Sequence, residues 1–142
     1  FVEAHRTFIE ELQPSFFEMT VGLAFDFFAR EQVDVAVIEV GLGGRLDSTN
    51  VIVPEVSVIT NISWDHMDLL GDTLPKIASE KAGIIKPGVP VIIGETQPEV
   101  ASVFLEKARL ENAPIKWAEE TFSAKSLGYR HGKRLISLSE WL

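Results

Sequence analysis

The stretch VDVAVIEVGLGGRLDSTN, residues 33–50, joins an apolar β-branched run to a glycine-rich loop that contains an arginine and an aspartate. The run VDVAVIEV has little strict alternation at its centre, the pattern of a central strand in a parallel sheet covered on both faces. It carries Glu39 near its end, and a carboxylate in so apolar a strand is costly unless it is paired or binds a cation. Arg45 is one available partner. A hard cation such as Mg²⁺, which prefers carboxylate oxygen, is another. The loop fits neither common phosphate cradle. Gly41 and Gly43 match the first two glycines of a dinucleotide fingerprint, but Leu46 occupies the sixth position, and GxxxxGK[ST] occurs nowhere in the chain. A tight turn with positive φ angles also accounts for Gly41, Gly43 and Gly44.

On either side of this stretch, helices and strands alternate. Phe1, Val2, Phe8, Ile9 and Leu12 share one helical face, and Pro14 ends that helix by disfavouring helical geometry at Gln13. Residues 18–30, EMTVGLAFDFFAR, are apolar almost all round, as a buried helix would be. EVSVIT (55–60), VPVIIG (89–94) and PIKWA (114–118) read as further short strands. Between them DTLPKIASEKAG predicts a helix with Asp72 or Thr73 as cap, Pro75 in its first turn and Gly83 as its stop. PEVASVFLEKARLEN predicts an amphipathic helix, and LGYRHGKRLISLS a hairpin around His131-Gly132 that forms an appended edge. This order indicates an α/β fold with a parallel sheet and right-handed crossovers. There are no internal repeats, low-complexity tracts or interior linkers.

With 142 residues, 46% of them hydrophobic and 24% charged, the chain is long enough for one domain with a real core. Thirteen basic against twenty-one acidic side chains give a net charge of −8, which argues against a nucleic-acid or anionic-membrane surface. A small nucleotide site, needing only a few local donors, remains compatible. The lack of cysteine excludes a disulfide framework and a thiolate zinc site. No apolar run approaches the length of a membrane span and nothing resembles a signal peptide, so the cytoplasm is the expected compartment. The chain begins at Phe1 rather than methionine, in mid-helix pattern without a cap, and stops just after a predicted strand. It reads as a piece of a larger protein.

Ligands in open α/β sheets sit beyond the carboxyl ends of the strands. Besides the loop after Glu39, two polar clusters lie in such positions: TNISWDHMD, after the second strand, and SEKAGIIKPG, before the third. His66 in the former is either a structural hydrogen-bonder or a functional group, although imidazole is an atypical magnesium ligand. Lys81 in the latter is either a favourable charge at a helix C-terminus or a reactive amine, which would require a depressed pKa. Lys86 reads as a surface turn residue. Lys125, Arg130, Lys133 and Arg134 read as a solvated hairpin, and His5 and His131 as solvated residues.

Together, SFFEMT, VDVAVIEVGLGGRLDSTNVI, PEVSVITNISWDHMDLLGDTL and IASEKAGIIKPGVPVIIGE closely resemble the folylpolyglutamate synthase and dihydrofolate synthase family, a branch of the Mur-ligase-like ATP-dependent amide ligases. The likeness covers roughly residues 15 to 95 in the family's order and approximate spacing. The NISWDHMD element is also similar to its counterpart in the cell-wall Mur ligases, which lack GLGGRLD after the strand glutamate.

The resemblance implies the three-layer, parallel-sheet ATPase domain of Mur-ligase type, here incomplete. The P-loop is expected upstream of Phe1 and a smaller C-terminal domain downstream, so the chain alone should be inactive. It implies ATP and two Mg²⁺ ions as cofactors, with Glu39 and His66 as metal ligands and a carbamylated Lys81 near the second ion. It also implies that Ser15, Phe16, Phe17, Glu18, Leu46, Asp47 and Ser48 line a pteroate pocket. The implied reaction joins L-glutamate to dihydropteroate or a folate through an acyl phosphate, in a cytoplasmic monomer. The alternatives are a cell-wall Mur-type ligase and a non-catalytic nucleotide- or metal-binding module.

Overall fold

A computed structural model describes residues 1–140. A 3-10 turn over Glu3–His5 runs into helix α1 (Arg6–Leu12), which ends as expected before Pro14, at Gln13 in a left-handed conformation. Helix α2 (Phe16–Glu31) starts two residues earlier than its apolar pattern predicts, because Ser15 and Glu18 form a capping box. The Glu18 amide donates to Ser15 Oγ (3.2 Å), and the Ser15 amide donates to Glu18 Oε2 (2.7 Å). Two reciprocal bonds thereby satisfy amides that a helix start leaves without partners.

Two expectations from the sequence fail here. Helix α2 buries none of its residues, although its apolar residues run all round it. Residues 33–40 form no strand among the described residues, and Val35 and Val37 are 80% and 92% exposed. β-branching favours extended backbone, whereas a strand also needs a neighbour to accept and donate its ladder bonds.

The sheet keeps three of the four expected strands, parallel as predicted. Strands β1 (Ser57–Ile59), β2 (Val91–Ile93) and β3 (Ile115–Trp117) are parallel in that order, with Ser57 opposite Val91 and Val91 opposite Ile115. Helices α3 (Met67–Leu70) and α4 (Leu74–Lys81) connect β1 to β2. Thr73 caps α4 and Pro75 sits in its first turn, as the sequence indicates. The predicted stop, Gly83, instead lies inside a 3-10 turn (Ala82–Ile84) that tightens the helix end. Helix α5 (Pro98–Leu110) connects β2 to β3. A short helix, α6 (Ala118–Thr121), then leads into the antiparallel hairpin β4 (Phe122–Arg130) and β5 (Lys133–Glu140). His131 and Gly132 both take positive φ at its turn, as two-residue hairpin loops require.

Helices α4 and α5 pack against each other and supply the core facing the sheet. Ile77, Val91, Ile93, Val100 and Phe104 are at most 1% exposed, and burial of this kind contributes about 1.5–3 kcal/mol for each large apolar side chain. Pleating sends alternate residues the other way: Ser57 and Ile59 are buried while Val58 is 54% exposed. Among the described residues, then, α4 and α5 cover one face of the sheet. No helix among the described residues is long and apolar enough to cross a membrane.

Candidate functional site

The loop after Glu39 is organised by one carboxylate. Asp47 Oδ2 accepts the Leu42 amide (2.9 Å), and Oδ1 accepts both the amide (2.9 Å) and the hydroxyl of the buried Thr49. Partial burial pushes the Asp47 carboxyl up, but the hydrogen bonds from Thr49 and from the amides of Leu42, Thr49 and Gly41 outweigh it. The group is held below the ordinary aspartate value. Gly43 turns the chain at φ 69°, the left-handed region that the glycine reading expects, whereas Gly41 does not take a positive φ.

This loop is fastened to the C-terminal end of α4. The Arg45 amide donates to the Glu80 carbonyl (2.8 Å), and its guanidinium grips the Glu80 carboxylate through Nε (3.2 Å to each oxygen) and Nη2 (3.0 Å). Arg45 is therefore the partner of Glu80 and not of Glu39, which lies exposed. Asn50 Nδ2 bridges the carbonyls of Arg45 (3.2 Å) and Gly83 (3.1 Å). Lys86, expected as a surface turn residue, is half-buried and donates to the Asn50 carbonyl (3.0 Å). A Cβ on Gly83 would lie 2.4 Å from the Cα of Arg45, so only glycine permits this approach.

Lys81 is the last residue of α4 and half-buried beside that contact. His66 follows β1 in a loop whose start is held by Gln97: its side chain accepts the Ile62 amide (2.7 Å) and donates to the Ile62 carbonyl (2.8 Å). His66 adopts φ 42° and ψ 47°, a left-handed conformation uncommon outside glycine, and its carbonyl accepts the amides of Leu69 and Leu70. Its imidazole is 57% exposed, with Nε2 3.4 Å from Asp65 Oδ1.

The remaining expected site residues divide into two groups. Ser15 and Glu18 are engaged in the helix cap, whose hydrogen bonds from Ser15 hold the Glu18 carboxyl below its usual value. Phe16 is 81% exposed, while Phe17 lies over Gly41, where an added Cβ would meet its ring at 2.4 Å. Leu46 is 79% exposed and Ser48 half-buried. Beside Glu18 opens a groove of about 460 Å³ between α1 and α2, lined by Phe8, Ile9, Leu12 and Met19 among others. Glu39, His66 and Lys81 do not line it. Among the described residues no three His, Asp or Glu side chains converge on one point. The structure thus joins Phe17, the 41–50 loop and the Lys81 end of α4, without gathering Glu39 and His66 into a completed ligand set.

Three residues that organise these loops are not among those the sequence singles out: Glu80, Asn50 and Gln97. The Ser15-x-x-Glu18 capping box was readable from spacing alone. Gln97 and Asn50 have no such signal, since their partners lie 35 and 33 positions away in the chain.

The Mur ligase middle domain family matches residues 10–134. The chain is 49% identical over 105 residues to the dihydrofolate synthase/folylpolyglutamate synthase of Bacillus subtilis, covering 73% of this chain and 24% of that protein. It is 49% identical over 111 residues to the folylpolyglutamate synthase of Lacticaseibacillus casei, covering 75% of this chain and 26% of that protein. Among solved structures, the FPGS–AMPPCP–folate complex matches 98% of this chain and 35% of that one, at a TM-score of 0.87 and 40% identity. The folylpolyglutamate synthase of Thermotoga maritima matches 99% of this chain and 34% of that one, at a TM-score of 0.85 and 35% identity. The chain belongs to the Mur ligase middle domain family. Within it, the similarity is to the folylpolyglutamate and dihydrofolate synthases, of whose curated sequences the chain spans about a quarter.

Proposed function

We propose that the full-length protein is an ATP-dependent ligase that joins L-glutamate to dihydropteroate, to a reduced folate, or to both. The observation that carries this reading is the match of nearly the whole chain to a relative solved with AMPPCP, a non-hydrolysable ATP analogue, and folate. In the reaction, the γ-phosphoryl of ATP passes to the substrate carboxylate, the amine of glutamate attacks the resulting acyl phosphate, and phosphate leaves. Segments outside this chain supply the phosphate loop and a C-terminal domain, and the protein works as a cytoplasmic monomer.

Phosphoryl transfer depends mainly on positioning and on neutralising charge. Magnesium is commonly held by one or two carboxylates, the remaining positions going to water and phosphate oxygens. Glu39, a single exposed carboxylate at the entrance to the glycine-rich loop, suits that sparse donor set. His66 and Lys81 would hold a second ion, with carbamylation by CO₂ turning the Lys81 amine into a carboxylate. When bound, magnesium neutralises the phosphoryl oxygens. Phe16, Phe17, Leu46 and Ser48 would line the pterin-bearing substrate, with Ser15, Glu18 and Asp47 fixing the backbone that presents them.

The test is phosphate release by the full-length protein with dihydropteroate or folate, glutamate and ATP. Glu39→Ala and His66→Ala should lower kcat by about 10²-fold or more, the usual effect of removing one electrostatic group from such a site. Wild-type rates in both variants would remove them from the metal site. Turnover of a peptidoglycan precursor in place of folates would identify a cell-wall ligase instead.

A further inference from the structure

We propose that Arg45, Glu80 and Asn50 are positioning residues that set the spacing between the substrate-side loop and Lys81. This rests on the ligase reading above, which assigns the pterin end to the Leu46–Ser48 turn and the phosphoryl end to Lys81. Arg45 directly precedes that turn, and Glu80 directly precedes Lys81. The two residues share a backbone hydrogen bond of 2.8 Å as well as the forked contact between their side chains. A hydrogen bond from the backbone and a planar fork from the same residue fix both distance and orientation, which a single point contact would not.

Asn50 closes the unit from the far end of the loop. Its amide holds the carbonyls of Arg45 and Gly83, on either side of the join, and its own carbonyl accepts Lys86. The Arg45 side chain is 56% exposed, so solvent screening leaves the ion pair little weight in stability. Its effect is geometric. A loop released from α4 would keep its Asp47-centred turn and shift as a body relative to Lys81. Misplacement of reacting groups by about 1 Å can lower a rate by about 10²-fold.

The experiment measures kcat and KM for Arg45→Lys, Glu80→Gln and Asn50→Ala in the full-length enzyme. Asp72→Asn serves as control, removing the charge of the exposed Asp72–Lys76 pair (2.7 Å) at the start of the same helix. Arg45→Lys keeps the charge but loses the fork, and should lower kcat by about 10²-fold with KM for ATP and the melting temperature near wild type. Glu80→Gln, which keeps one acceptor oxygen, should be intermediate, Asn50→Ala should resemble Arg45→Lys, and Asp72→Asn should match wild type. An active wild type whose Arg45 and Glu80 variants keep its kcat overturns the proposal alone. So does a loss of kcat that only parallels a loss of folded protein in every variant. A wild type inactive on every folate substrate removes the ligase reading, and the positioning role with it.

Discussion

At Asp47, partial burial and hydrogen bonding push the carboxyl in opposite directions, and the bonds from Thr49 and the backbone amides prevail. The sign of the resulting pH dependence follows from linkage. A carboxyl held lower in the folded state than in the unfolded chain contributes its full stability above the unfolded value, about 3.9 for aspartate, and loses it as pH falls through the lower folded value. The 41–50 loop should therefore keep its geometry through mildly acidic solution and open only below the ordinary carboxylate range. Amide hydrogen exchange at Leu42 and Thr49 reports this directly. Loss of their protection at pH values above about 5, with the core still protected, would show that Asp47 does not hold the loop. None of these bonds was read from the residue order, in which Asp47 stands in a glycine-rich turn and, through the family resemblance, lines the substrate pocket.

Helix α2 shows how local chemistry and context divide the work at the level of one element. Its start is encoded in four consecutive residues, Ser15 to Glu18, whose capping box is closed entirely among themselves. Ser15→Ala should destabilise the protein by about 1 kcal/mol, the typical loss for an N-cap, and Ser15→Thr should restore most of it. Thermal unfolding of the two variants checks the order. An unchanged melting temperature in Ser15→Ala would remove the cap from the stability of α2. The environment of the helix is another matter, because its apolar residues predict burial while Leu23 and Phe27 are 44% and 55% exposed. The same division holds for residues 33–40. Their β-branched side chains specify extended backbone, but ladder bonds come from a neighbouring strand, and none of the described residues provides one.

Across the whole molecule, stability is concentrated in the layer formed by the parallel sheet and helices α4 and α5. Phe104, 1% exposed and packed edge-on to Trp117 at a centroid distance of 6.5 Å, is the largest fully buried side chain of that layer. Phe104→Ala should cost about 3–5 kcal/mol, to be read from chemical denaturation, and a loss below about 1 kcal/mol would place the core elsewhere. Apart from the strand expected at 33–40, the sequence alone was enough for the alternation of helices and strands, the parallel sheet, the terminal hairpin and the family, because periodicity, capping and short motifs act between residues close in the chain. It also marked Glu39, His66 and Lys81 as candidates. Only the tertiary structure decided which face of the sheet is covered, that Arg45 belongs to Glu80 rather than Glu39, and that Asn50 and Gln97 fasten the loops. Those choices depend on bonds between residues more than thirty positions apart, and no local pattern records which of several chemically suitable partners the fold brings within reach.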